Sequence, residues 1–298
     1  MKKIFITGAS GCVGHYVFDQ LVKNPDYHLY LLVRDPGKLM FNYNKFPNVT
    51  VIKGSMENIE EQAALLKEID FVVYLAAGWD NTVPNFEGAA RFFQLLDPNK
   101  LQKALYFSTA SILDEHGVPV PCLATTDNPY IRSKYHFKIN MHKLAIAEKI
   151  ITIYPTWLLG GDKTHPYTHA LQGILSMEKW LWLIRFFTVD VSFHFIHAYD
   201  LAQMVEYLLK NETNQKEMIL GNKVMTAADL IDEVCKVFKK KVYFRLRISP
   251  KLVEFLFGRQ LLEFDRYCLK KKYFQYNVTN VKNPKFPTIT SIFSPCPG

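Results

Sequence analysis

Thr7-Gly8-Ala9-Ser10-Gly11-Cys12-Val13-Gly14 follows an apolar, strand-like opening, Lys2 to Thr7, and leads into a helix-like stretch from Cys12 to Asn24. A strand that ends in a glycine turn and feeds a helix offers a pyrophosphate free backbone N–H groups and the positive end of a helix dipole. On this reading Gly8 permits the tight turn, Gly11 lets a phosphate approach the backbone, and Gly14 lets the helix lie close on the sheet. The segment predicts a dinucleotide site at the first strand-to-helix crossing, with Ala9, Ser10, Cys12 and Val13 completing the loop.

Working outward, strand-like and helix-like segments alternate through residue 165, which predicts an α/β fold with a doubly wound parallel sheet. The second strand, His28 to Val33, ends in Arg34-Asp35-Pro36-Gly37-Lys38, where the adenosine ribose of a dinucleotide is read. A carboxylate there suits the ribose hydroxyls of NAD, and a cation suits the 2′-phosphate of NADP. Arg34 comes first and Lys38 follows, so NADP is expected, with NAD the alternative. A third strand, Val49 to Lys53, leads to Gly54-Ser55-Met56, and a fourth, Asp70 to Leu75, ends in Ala76-Ala77-Gly78. Small residues at strand ends allow a flat cofactor to lie across the sheet edge.

The apolar run Ala104 to Phe107 passes into Ser108-Thr109-Ala110-Ser111, and Tyr130-Ile131-Arg132-Ser133-Lys134 follows. A Tyr and a Lys four residues apart on a helix share one face. An ammonium beside a phenol favours the phenolate, so the pair predicts a proton donor and acceptor for a carbonyl or alcohol. A hydroxyl from the preceding strand can hold the same oxygen, completing an acid/base site for hydride chemistry.

Glycine turn, strand-tip Arg34, Ala76-Ala77, hydroxyl strand end and Tyr130/Lys134 occur in the order of the short-chain dehydrogenase/reductase superfamily, and the chain resembles its extended, epimerase/dehydratase-like members. The resemblance implies a Rossmann-type domain over 1–163 and a smaller C-terminal substrate-binding lobe over 164–298, with a return to the core near 192–221. It places Thr109 on the family's catalytic Ser/Thr position, with Ser108 as the backup, and Ser111 near substrate. It sets Ser55 and Met56 at the adenine, where the family usually carries Asp, and Leu75, Ala76 and Ala77 beside the nicotinamide ribose. Gly78 and Trp79 then fall on the substrate side, and Asn85 holds backbone. Pro155 and Trp157, in Tyr154-Pro155-Thr156-Trp157-Leu158-Leu159-Gly160, match the family's proline segment beside the nicotinamide, with Tyr154 in place of its Arg. Leu113-Asp114 replaces the family's Tyr-Gly, and Ala110 and Ser111 stand where dehydratases carry an acidic pair, so dehydration is disfavoured. Asp200 is expected to cap a helix from Leu201 to Lys210.

The implied activity is hydride transfer between a nicotinamide and a substrate carbonyl or secondary alcohol, with Thr109, Tyr130 and Lys134 as the catalytic set. Two alternatives are a sugar-nucleotide epimerase that recycles a tightly held NAD, and a non-catalytic NADP-binding sensor or assembly factor. Retention of Tyr130 and Lys134 argues against the last.

Composition bounds the rest. A chain of 298 residues, 49% hydrophobic, can build one large α/β unit with an attached lobe. Charges break the apolar runs before they reach the ~20 residues of a membrane span. The N-terminus enters a strand at once with no export-like signal, and the five cysteines, Cys12, Cys122, Cys235, Cys268 and Cys296, show no CxxC spacing. Reduced thiols in a cytoplasmic protein are the expectation. The His165/His169 and His194/His197 pairs lack acidic or thiol partners at ligand spacing, so no metal is expected. The net charge of +8 gathers late, at Lys239 to Lys241, Arg245, Arg247 and Lys270 to Lys272, and no nucleic-acid motif accompanies it. A small-molecule substrate and a homodimer are the expected partners.

Trp180-Leu181-Trp182-Leu183-Ile184-Arg185-Phe186-Phe187 is the most apolar and aromatic stretch, fitting lobe core, a greasy substrate pocket or a membrane-facing surface. Arg185 within it is a candidate for a substrate carboxylate or phosphate. Thr226 with Asp229 predicts a capping box, and Gln275 to Gly298 an extended tail over the lobe.

Overall fold

Period-2 alternation decides which residues face which layer. In β1 (Lys2–Thr7), Ile4 and Ile6 enter one buried cluster and Phe5 the other, so both faces of the strand are covered. The computed structural model describes residues 1–249 and 263–293. Six further strands pair in parallel with β1 or its neighbours: β2 (Tyr27–Val33), β3 (Val49–Lys53), β4 (Phe71–Tyr74), β5 (Lys103–Phe107), β6 (Ile150–Pro155) and the Glu217–Leu220 strand.

The strand order across the sheet is Glu217–Leu220, β6, β5, β4, β1, β2, β3. The chain winds outward from β1 through β2 to β3, then crosses back and winds the other way from β4. The switch point therefore lies between β1 and β4, and ligands of open parallel sheets bind outside the carboxyl ends of the strands there. The glycine turn follows β1, and Leu75-Ala76-Ala77 follows β4.

Helix α1 (Cys12–Leu21) and the Ala198–Lys210 helix cover one face, burying Val17, Phe18 and Leu21 with Leu201, Val205 and Leu208. On the other face, after the one-turn α2 (Ala63–Leu66), α3 (Glu87–Gln94) and α4 (Pro129–Asn140) place Phe92, Phe93 and Phe137 against Tyr74 and Tyr106. Pro129 at the first position and the Asn128 side chain, which accepts from Ile131 N–H at 3.1 Å, start α4 one residue before Tyr130.

A third cluster forms the C-terminal lobe, with Leu159, Leu171, Ile174, Leu181, Phe195, Ile231, Val234 and Ile289. The apolar run at 180–187 divides: Leu181 is fully buried, whereas Trp180, Trp182 and Leu183 are exposed. The Ala227–Val237 helix opens with the expected capping box, Thr226 Oγ1 accepting from Asp229 N–H and the Asp229 carboxylate from Thr226 N–H.

Two expectations are corrected. The Ala198–Lys210 helix starts three residues before Leu201 and its cap is His197, whose Nδ1 accepts from Tyr199 N–H. Asp200 lies in the first turn, fully buried, and its carboxylate accepts instead from Lys285 and Phe286 N–H at 2.7 and 3.1 Å. The tail is not extended throughout and does not stay on the lobe. Thr279 N–H donates to Ile219 of the central sheet at 2.7 Å, and Ile289–Phe293 is helical. Cys296 and the end of the tail lie outside the described residues.

Candidate active site

The three glycines of the turn differ in their steric surroundings. Gly8 has φ +72, and a Cβ there would meet the Leu75 carbonyl carbon at 2.8 Å, so β1 and β4 approach closely only without a side chain. At Gly14 a Cβ would meet Gly8 O at 2.4 Å, which fixes how tightly α1 sits on the turn. Gly11 is different. Its backbone is extended, with φ −84 and ψ 172, and the nearest atom to a Cβ is Gly8 O at 3.4 Å, so the chain itself does not demand glycine there. Gly11 is also the N-cap of α1 and supplies no side-chain cap, so the first-turn N–H groups of Cys12, Val13 and Gly14 keep no intrahelical acceptor. Open backbone at a helix N-terminus fits a pyrophosphate. Ala9 is buried beneath the turn, and Ser10 is half-buried. Burial pushes the Cys12 thiol up to about 12, which suits packing rather than reaction.

The strand-tip turn is pinned to this loop. His15, buried on α1, holds Gly11 O with Nδ1 at 2.9 Å and accepts Met40 N–H with Nε2 at 3.0 Å, so the proton belongs on Nδ1. Asp35 caps the short 3₁₀ turn by accepting Gly37 N–H at 2.9 Å, while Arg34 and Lys38 stand exposed. The Ser55 hydroxyl donates to Asn58 Oδ1 at 2.7 Å, and Met56 is buried next to it. At the end of β4, Leu75 and Ala76 N–H donate to the Thr7 carbonyl and hydroxyl, which sets Leu75-Ala76-Ala77 beside the glycine turn.

The hydroxyl end of β5 and helix α4 converge. Thr109 caps a 3₁₀ turn by accepting Ser111 N–H at 3.2 Å, and its side chain lies near enough to the Tyr130 phenol to act on its pKa. Lys134 is 1% exposed; its Nζ donates to Phe107 O at 2.8 Å and to Tyr106 Oη at 3.4 Å. Burial pushes Lys134 down to about 7 and the Tyr130 phenol up to about 12, with Thr109 pulling the phenol the other way. Lys134 is not among the groups that lower the phenol: held down to about 7, the amine has lost its charge well below the pH at which the phenol titrates. Beside Thr109, the Ser108 hydroxyl is buried with no hydrogen-bond partner among the described residues. An orphaned hydroxyl at a strand end next to a dinucleotide loop fits a bound group on that side.

Trp79 stacks on Tyr130, and its loop is held by Asn85, which accepts Gly78 N–H at 3.0 Å and donates to Gly78 O and Ser133 Oγ. Asn85 thus holds backbone, as expected. Pro155 ends β6, and Trp157, edge-on to Phe193, packs toward the lobe cluster. Ser111 is half-buried in the turn after Thr109. Arg185 stands apart from this group: its Nη1 donates to Lys241 O at 3.0 Å and its guanidinium lies over the Phe186 ring.

A model of the NAD dependent epimerase/dehydratase family matches residues 4–221. The chain belongs to this family. No curated protein matches it at a significant level. Among solved structures, gox2253 is 21% identical with a TM-score of 0.71, covering 93% of this chain and 90% of that one. The UDP-glucuronic acid 4-epimerase from Bacillus cereus in complex with UDP-glucuronic acid and NAD is 20% identical, TM-score 0.62, covering 83% and 86%. The UDP-N-acetylglucosamine 4-epimerase from Methanobrevibacter ruminantium M1 is 18% identical, TM-score 0.62, covering 83% and 85%. At these identities the likeness is one of fold, and it agrees with the seven-stranded parallel sheet.

Within this epimerase/dehydratase fold, some neighbours of the site were invisible to pattern reading. Lys271 Nζ donates to Leu113 O at 2.6 Å, and the Tyr276 hydroxyl to Ala110 O at 2.9 Å, so the C-terminal segment grips the loop that carries Ser111. His165 sits between two carboxylates, Asp162 at 2.8 Å and Asp19 of α1 at 2.9 Å, with its ring stacked on Tyr16 at 3.8 Å. This clamp ties the loop leaving β6 to the helix behind the glycine turn. Spacing could have flagged Asp162, three residues before His165, but not Asp19. Among the described residues no group of His, Cys, Asp and Glu is arranged to hold a metal, and no helix is long and apolar enough to cross a membrane.

Proposed function

We propose that this family member is an NADP-preferring oxidoreductase of the extended short-chain type, acting on a carbonyl or secondary alcohol. The observation that carries the reading is the convergence of Thr109, at the end of β5, with Tyr130 and with Lys134 buried one turn along the same helix as Tyr130. When bound, the nicotinamide supplies or accepts the hydride. The turn from Gly8 to Gly14 holds its pyrophosphate, Arg34 and Lys38 hold a 2′-phosphate, and Ser55, Met56, Leu75, Ala76, Ala77, Pro155 and Trp157 line its remaining length. Thr109 holds the reacting oxygen. Tyr130 carries its proton at neutral pH and would give it to a carbonyl oxygen in reduction, or take one from an alcohol in oxidation. Lys134, with two of its three donors on β5, keeps one that would hold a ribose hydroxyl. Gly78, Trp79 and Ser111 meet substrate, and Trp79 favours a flat or apolar one.

Tyr130→Phe is expected to lower turnover about a hundredfold or more, the worth of a general acid. Activity above about a tenth of wild type in NADPH-coupled reduction of aromatic ketones contradicts the role. The second reading, epimerisation with a retained nucleotide, draws on the named activities of the similar structures. It predicts cofactor carried through purification and no net NADPH oxidation with sugar nucleotides. Thermal shift with NADP and NAD separately decides the cofactor preference.

A further inference from the structure

The lobe carries an exposed surface that no step above uses. Trp180 and Trp182 are 58% and 61% exposed, Leu183 40%, Phe244 58% and Leu246 55%. They lie on two segments, 180–187 and 244–246, that pack against each other. Helical hydrogen bonding carries on past Ile184, with Arg185 N–H donating to Leu181 O and Phe186 N–H to Leu183 O, so Trp182 and Leu183 stand one turn from Phe186. The Phe186 ring stacks on Phe244 at 4.7 Å, and Leu246 pairs with Phe187 in a short parallel ladder. Around this face the segment 236–249 holds Lys236, Lys239, Lys240, Lys241, Arg245 and Arg247 and no acidic residue. Arg245 is paired with Asp232 and Arg247 lies 3.6 Å from Asp190, while the four lysines are exposed.

We propose that this face docks on an anionic phospholipid surface, the indoles and leucines entering the headgroup boundary while the lysines meet lipid phosphates. Tryptophan has the amphipathic ring that a bilayer interface favours, and each lysine near an anionic leaflet strengthens binding about fivefold. Charge sets the occupant. Two copies meeting through this face would bring their lysines together, which disfavours self-association. Nucleic acid satisfies the lysines but gives Leu183 and Leu246 nothing to pack against, since bases stack on aromatic rings rather than on aliphatic chains. The docking surface is separate from the Thr109–Tyr130–Lys134 group, so its test does not depend on the proposed reaction.

The full-length protein is sedimented with vesicles of phosphatidylcholine alone and of phosphatidylcholine mixed with phosphatidylglycerol. Binding is expected to the mixed vesicles, with a blue shift of tryptophan emission in a Trp79→Phe/Trp157→Phe background that leaves Trp180 and Trp182 as reporters. Trp180→Ser/Trp182→Ser, with an unchanged melting temperature, is expected to lower partitioning at least about tenfold. The triple change Lys239→Glu, Lys240→Glu, Lys241→Glu is expected to lower it by roughly a hundredfold. Absence of binding to the mixed vesicles overturns the proposal, as does equal binding by the Trp180→Ser/Trp182→Ser protein. Acrylamide-inaccessible reporters without lipid overturn it too, since another part of the chain or a second copy then covers the face. Tighter binding to a single-stranded oligonucleotide than to the vesicles assigns the surface to nucleic acid instead.

Discussion

Trp79 lies stacked on Tyr130, ring centroids 4.2 Å apart and planes 25° from parallel, although the indole itself is 59% exposed. One face of the indole shields the phenol and the other stays open. Replacing Trp79 with Ala admits water beside Tyr130, so the phenol moves from about 12 toward its ordinary value, about 10. The alkaline limb of the pH–rate profile then shifts to lower pH, and kcat/KM falls about three- to tenfold, the worth of an aromatic pair. Trp79→Phe keeps most of both. An unchanged profile in the alanine variant removes Trp79 from the site.

The different surroundings of Gly11 and Gly14 separate ligand binding from folding. Gly14→Ala drives a Cβ into backbone at 2.4 Å and is expected to cost about 2–4 kcal/mol of stability by chemical denaturation. Gly11→Ala has room and an ordinary φ, so its stability stays within about 1 kcal/mol of wild type. Its affinity for NADP, read by titration, drops about tenfold or more, because the added methyl stands where a phosphate approaches. Equal losses of stability in the two variants contradict this division.

Lys134 is held against its own charge. Its folded pKa, about 7, is lower than the ordinary lysine value of about 10.4, so the unfolded chain binds the extra proton between those values. Stability in that window therefore rises with pH, by roughly 1–3 kcal/mol between pH 7 and 9. Lys134→Met abolishes this rise and is expected to melt at or above wild type at pH 6 while losing at least about a hundredfold in turnover. A variant that melts far lower at pH 6 would show that the ammonium is chiefly structural.

The His165 clamp has the opposite sign. Its two carboxylate partners raise the imidazole above its ordinary value against the effect of burial, so its contribution is full below about pH 6.5 and fades as pH rises through the folded value. Asp162 is held down to about 2, so its share is full above about pH 3.9 and is lost as pH falls from there through about 2. His165→Asn should thus lower the melting temperature most between about pH 4 and 6.5, by about 1.5–3 kcal/mol in stability terms, and least in alkali. A pH-independent difference excludes a charged clamp.

Local patterns were readable and distant pairings were not. The bounds of β1 and β3, the box of Thr226 and Asp229, and the placing of Tyr130 and Lys134 on one helix all follow from neighbours within a few residues. The family resemblance likewise located Asn85 as a backbone holder. Asp200 misled because its side chain type suits a cap, yet a buried carboxylate also satisfies two N–H groups of a segment 85 residues away. Nothing in the spacing of Asp19 and His165, or of Lys271 and Leu113, announces that they touch. The pKa order of Tyr130 and Lys134 escaped for the same reason, since it depends on how deeply each is buried.

The helix that flanks α1 on the sheet begins at Ala198, and the sheet's last strand is laid against β6 only from Glu217. Translation consequently delivers the phosphate loop nearly two hundred residues before it delivers the neighbour of the helix behind it. A truncated product ending after β6 leaves α1 without its neighbouring helix and β6 as an open edge, a surface prone to association. The face of the sheet that carries α1 is thus completed only late in synthesis, once the chain has returned to the sheet at Glu217.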